Sequence, residues 1–168
     1  MRGSDSLSST AISESRWFYS SILIAITALC YALILRFGFL IIDDPLYVTN
    51  NPHVLNGLTW ESIKWAFSSI EAEFWHPLTW LSLMLDATLY GTSPLGYHFT
   101  NVLLHMAAGI FLFLAFDVMT GRRRRAFIVA ALFAVHPLHV EAVTWVAERK
   151  EVLCGFFWTG ALLAYAFY

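Results

Sequence analysis

WFYSSILIAITALCYALILRFGFLIIDDP, residues Trp17 to Pro45, decides the fold of this chain. About 26 residues run from Trp17 to Ile42 with Arg36 as their single charge, more than the roughly 20 needed to cross a hydrocarbon core. The stretch exceeds the apolar core of a secretory signal, about 7–15 residues, and no small-x-small cleavage site precedes Asp43, so it reads as a retained span. It ends on two adjacent carboxylates, Asp43 and Asp44, followed by Pro45. Charges at a membrane rim are costly to keep without partners, so such a pair reads as a functional site. The plainer alternative is a solvated helix end with an ordinary Asp-Pro turn.

Composition agrees with a membrane chain. Of its residues 58% are hydrophobic and 13% charged, against about 25% charged in soluble globular proteins, and the mean hydropathy is +0.62. A net charge of -2 argues against nucleic acid as a partner, since nucleic-acid domains carry a basic excess. Cys30 and Cys154 both fall in apolar stretches, which fits packed thiols better than a disulfide framework.

The predicted fold is an all-α integral membrane domain with four spans, at about 17–42, 99–119, 126–146 and 152–168. Residues 1–16, rich in serine, read as a disordered tail. The loop Arg122-Arg123-Arg124-Arg125 marks the cytoplasmic side. Counting spans from it puts the N-terminus in the cytoplasm and both polar clusters, Asp43-Asp44 and His136 to Glu151, on the extracytoplasmic side. The outer loop 43–97 carries two short helices. One follows Thr59 as N-cap, with Trp60, Ile63 and Phe67 on one face. The other runs from Pro77 to Tyr90 before Gly91, a Pro-start and Gly-stop pattern too short to span, which reads as an interfacial or re-entrant helix. Tyr168 ends the chain inside an apolar run without a stop signal, as expected of a truncated domain.

Several residues have the right chemistry for a site. Asp43 and Asp44 could act as a general base and its partner, because two close carboxylates push their pKa values apart. His136, His139 and Glu141 are ligand types, although their spacing is not that of a zinc helix, and a divalent metal stays open. Arg149 and Lys150 lie on the side where the positive-inside bias disfavours them, which points to an anion such as a lipid phosphate. Pairing with Glu148 and Glu151 is the competing explanation. His98, Asn101 and His105 share a face of the second span and suit inter-helix hydrogen bonds.

The strings IDDPLYVTNNP (Ile42 to Pro52), FWHPLTWLSLMLD (Phe74 to Asp86), GYHFTNVLLH (Gly96 to His105) and HPLHVEAVTWVAERKEVL (His136 to Leu153) resemble, in order, the N-terminal membrane domain of the transmembrane and tetratricopeptide-repeat O-mannosyltransferase family and its bacterial relatives. That resemblance implies a partial GT-C glycosyltransferase fold over 17–168. It implies a polyprenyl or dolichyl phosphate sugar as donor, membrane lipids as surroundings, and a polypeptide or other hydroxyl acceptor. It also implies Asp43 and Asp44 as catalytic groups, Arg149 and Lys150 at the donor phosphate, and His76, His136, His139 and Glu141 in support. Mannose is the sugar the family is named for. No cofactor is certain. The family's further spans and tetratricopeptide array are missing from this sequence, so the chain alone is expected to be inactive. A non-catalytic membrane scaffold and a metalloenzyme using His136, His139 and Glu141 are the alternatives.

Overall fold

The structure, a computed structural model, describes residues 4–168, with side chains described from Arg16 onward. Its first helix, α1 (Ser4–Tyr31), runs back through most of the stretch expected to be a disordered tail, while residues 1–3 of that stretch lie outside the described residues. A single tight turn, Ala32–Arg36, follows, and from Phe37 the chain is extended. The first span therefore covers Arg16–Arg36 and stops short of the expected Ile42. The backbone is drawn away there: Leu40 N–H donates to Asp44 instead of continuing the helix.

Local signals shape the segment between the first span and the next. Asn51 caps the single turn α2 (Pro52–Leu55) by accepting from the His53 and Val54 amides, and Thr59 caps α3 (Trp60–Ser68) by accepting from Ser62. Helix α4 (Pro77–Tyr90) starts on proline and stops at Gly91, whose φ of +61° with ψ of −127° suits only glycine. At 14 residues it falls short of a span. It packs on α2, α3 and the start of the next helix. Together these pieces bury Tyr47, Val54, Trp80, Leu83, Met84 and Tyr97.

Helix α5 (Pro94–Thr120) is the axis of the molecule. Its 27 residues reach about 40 Å at 1.5 Å per residue, more than a bilayer core. Helices α6 (Arg123–Val135) and α8 (Arg149–Ala166) lie along it, and α1 packs on α5 and α6. Between α6 and α7 (Leu138–Thr144) the direction changes by 60° at Pro137. Proline lacks the N–H that a continuous helix would use, and its ring crowds the turn before it.

Among the described residues two helices are long and apolar enough to cross a bilayer, Arg16–Arg36 and Pro94–Thr120, and the bent pair α6–α7 makes a third if read as one span. Helix α8, expected as the fourth, has 18 residues and opens on Arg149, Lys150 and Glu151, which shortens its apolar length below the usual requirement. Large apolar side chains such as Leu29, Leu33, Leu132 and Trp158 point outward. That arrangement suits lipid rather than water. The protein is an all-α membrane protein.

Candidate functional site

The two carboxylates at the end of the first span have different surroundings. Asp44 is fully buried; its Oδ2 accepts from Leu40 N–H at 2.7 Å and its Oδ1 from Ala147 N–H at 2.9 Å. Burial pushes its carboxyl above the ordinary value, and the two amide donors pull it back without cancelling that effect. Asp43 is half-buried, and its side chain takes no hydrogen bond among the described residues. Through Asp44 the polar segment after the first span and the polar segment before α8 are joined at one end of the bundle.

Tyr47 is the centre of that end. Its ring stacks on Trp80 with centroids 5.0 Å apart and on His76 at 5.8 Å. The Lys150 ammonium lies 5.6 Å from the Tyr47 ring centre and 5.9 Å from that of Phe74. Among the described residues it forms an ion pair with Glu148, at 2.9 Å. Burial raises the Tyr47 hydroxyl pKa, with Lys150 lowering it and Glu148 and Asp43 raising it, so all three charges act on one phenol. His76 is held below its ordinary pKa, first by burial and then by Lys150, and is a neutral imidazole at pH 7. Both its ring nitrogens, and Trp80 Nε1, are buried without a partner among the described residues. Orphaned polar atoms of this kind call for an explanation, and a bound molecule is one of the recognised ones.

Beside Lys150 a cavity of about 470 Å³ opens between α3, the start of α4 and α8; Phe67, Trp75, His76, Leu153 and Phe157 line it. Its walls are apolar, and one ammonium stands at its rim. A molecule with an apolar chain and an anionic head matches that surface.

Arg149 meets a different environment. The expectation that it grips a donor phosphate meets a guanidinium with no exposed surface and an anion already in place. Its Nη2 donates to Asp86 Oδ2 at 2.6 Å and to the Tyr97 carbonyl at 3.0 Å, and its Nε donates to Asn101 Oδ1. Asp86 is held in turn by the Thr100 hydroxyl at 2.7 Å. Asn101 passes the connection to the Val143 carbonyl at 3.1 Å. One residue thus ties α4, α5, α7 and α8 together.

His136, His139 and Glu141 do not converge. His136 and Glu141 are exposed, while His139 faces the rings of His105 at 5.5 Å and Phe133 at 4.6 Å. Among the described residues no three His, Cys, Asp or Glu side chains gather as a metal would require, so the metalloenzyme alternative lacks its ligand set. His136 stands at the break before α7, with its ring 6.0 Å from that of His139 and its Nδ1 accepting from Leu138 N–H. His139 and Glu141 instead line a second cavity of about 640 Å³, with Glu148, Glu151 and Trp158. Cys30 and Cys154 are unpaired and exposed rather than packed.

Two residues central to this end escaped the sequence reading. Tyr47 sits inside the string IDDPLYVTNNP, but nothing local announces that it gathers three charges. Asp86 had a usable signal: it is the only charge on an otherwise apolar 14-residue helix, and such an acid asks for a partner.

No family model matches the chain, and no solved structure matches it. Curated proteins do. Over 158 residues the chain is 33% identical to Protein O-mannosyl-transferase TMTC1 of Mus musculus, covering 87% of this chain and 16% of that protein. To the TMTC1 of Homo sapiens it is 32% identical over 160 residues, with 87% and 18% covered. To Protein O-mannosyl-transferase TMTC3 of Mus musculus it is 31% identical over 152 residues, with 86% and 16% covered. The chain spans less than a fifth of the length of these relatives.

Proposed function

Because the chain belongs to the TMTC protein O-mannosyl-transferase family, we propose that it forms the acceptor-activating and donor-binding end of a GT-C membrane glycosyltransferase. The enzyme moves a sugar, mannose by the relatives' name, from a polyprenyl or dolichyl phosphate to a Ser or Thr hydroxyl of a polypeptide on the extracytoplasmic side. The observation that carries this reading is the grouping of the half-buried Asp43 carboxylate and the Lys150 ammonium around Tyr47, next to an apolar cavity.

In this mechanism Asp43 takes the proton of the acceptor hydroxyl. The oxygen attacks the anomeric carbon from the side opposite the phosphate, the carbon–oxygen bond to phosphate breaks, and the lipid phosphate leaves with its electron pair. Lys150 offsets the charge gathering on that phosphate, a task suited to a mobile ammonium point charge. Asp44 holds the loop that carries Asp43. Arg149 positions α8 so that Lys150 faces the cavity, and His76 supplies a neutral imidazole at its wall. His136, His139 and Glu141 border the neighbouring cavity, where the acceptor approaches.

The test separates the two acids. Sugar transfer to an acceptor peptide is measured in membranes in which this chain is joined to the remaining length of a full-length relative. Asp43→Asn should lower turnover by about 10²–10⁴-fold, the usual worth of a general base, with the amount of folded protein unchanged. Asp44→Asn should lower the amount of folded protein more than the turnover of what remains. Parent-level turnover in Asp43→Asn would remove the base from this site.

A further inference from the structure

At the opposite end of the bundle the four consecutive arginines do not act alike. Arg123 turns inward, its guanidinium donating to both oxygens of the buried Asp117 at 3.2–3.3 Å. Arg122 and Arg125 instead line an outward-facing groove of about 430 Å³ between the end of α5 and the start of α6. Phe116, Ala126 and Val129 form its apolar floor, and the Thr120 side chain stands at its edge. Neither Arg122 nor Arg125 has a side-chain ion pair or hydrogen bond among the described residues. Arg124, although exposed, does not line the groove.

We propose that this groove binds the head group of an anionic phospholipid, with Arg122 and Arg125 on its phosphodiester and an acyl chain along Phe116, Ala126 and Val129. Three observations lead to it. The groove lies where a spanning helix of 27 residues ends, at the depth of the lipid head groups. Two guanidinium groups flank it, and a guanidinium takes two phosphate oxygens at once through parallel N–H donors. Its floor is apolar, which a free inorganic ion would leave uncovered but a lipid would fill. Basic pockets between spanning helices on the cytoplasmic side bind anionic head groups on the same grounds. The inference is independent of any sugar transfer at the other end.

It predicts a selectivity within the arginine run that orientation by positive charge does not, since orientation counts the four residues alike. The purified full chain in neutral detergent is titrated with phosphatidylglycerol, with phosphatidylcholine, and with inorganic phosphate, and thermal unfolding and native mass spectrometry report binding. Phosphatidylglycerol should raise the unfolding temperature and remain bound in the gas phase. Phosphatidylcholine and inorganic phosphate should do neither. In R122Q/R125Q the apparent phosphatidylglycerol affinity should fall by about tenfold or more, while R124Q should bind as the parent does. Equal affinity in R122Q/R125Q and R124Q would overturn the proposal, as would a parent that does not distinguish the two lipids or that saturates with inorganic phosphate. Should R122Q/R125Q fail to fold, a photoreactive phosphatidylglycerol on the parent decides the matter: cross-links at Phe116 or Val129 support the site, and cross-links confined to other helices refute it.

Discussion

Each end of the helix bundle is built around a buried aspartate held by arginine, yet the two ends are finished differently. At the arginine-loop end Asp117 receives Arg16 at 2.7 Å and Arg123 at 3.2 Å, and the side chain of Arg16 is 40% exposed. At the acid-pair end Asp86 and Arg149 are both enclosed, with side-chain exposures of 2% and 0%. There the buried ring nitrogens of His76 and Trp80 have no partner among the described residues, beside Asp43 and Lys150. The first end is an ordinary staple that water can reach. The second is an enclosed frame beside buried polar atoms that have no partner among the described residues.

Four measurements sharpen or break that contrast. The largest effect belongs to Arg149→Ala, which leaves Asp86 buried and unmatched and should cost about 3–5 kcal/mol of stability, whereas Asp86→Leu with Arg149→Met should recover most of it. Unfolding in mixed detergent reports both, and a tolerated Arg149→Ala would mean that the frame is not structural. Next comes Lys150→Gln, which removes a charge-assisted contact worth about 1.5–3 kcal/mol and should weaken donor binding with little change in unfolding. If it destabilised the fold as Arg149→Ala does, the division of labour between the two neighbouring cations would collapse. Asp117→Asn at the other end should cost about 1 kcal/mol or less, because its arginines can turn to water and lipid head groups; a loss matching that of Arg149→Ala would erase the difference between the ends.

The smallest effect concerns acid. The Asp44 carboxyl is raised by burial, so in the folded protein it keeps its proton to a higher pH than in the unfolded chain. Its contribution to stability is full below the ordinary carboxylate value and is lost as pH rises through the folded one. Asp44→Asn should flatten the stability profile between mildly acidic and neutral pH. An unchanged profile would place this loss of stability with rising pH elsewhere.

What could be read from the chain alone followed how local the cause was. The Thr59 cap and the Pro77 start and Gly91 stop of α4 are set by neighbours within one helical turn, and both helices lie where those signals put them. The 60° bend at Pro137, inside the stretch expected as one span, has an equally local cause in the missing proline N–H. The end of the first span was not legible, since it depends on a hydrogen bond from Leu40 to a side chain past the apolar run. Arg149 is the instructive case among the site residues. A cation on the disfavoured side of a membrane does ask for an anion, but its anion stands 63 residues earlier in the same chain. No periodicity connects positions so far apart. The proximity of Lys150 to Tyr47 is likewise a product of tertiary packing.

The bond from Ala147 to Asp44 joins residues 103 positions apart, which sets an order of events during synthesis. At about 5–20 residues per second, Asp44 leaves the ribosome some 5–20 s before its amide partner exists. Throughout that interval the acid pair has no buried home, and the loop after the first span waits, hydrated, for α7 and the start of α8. The site therefore closes only after the chain has been made through Ala147, and a chain stalled before that residue would carry every residue of the first polar cluster without being able to seat it.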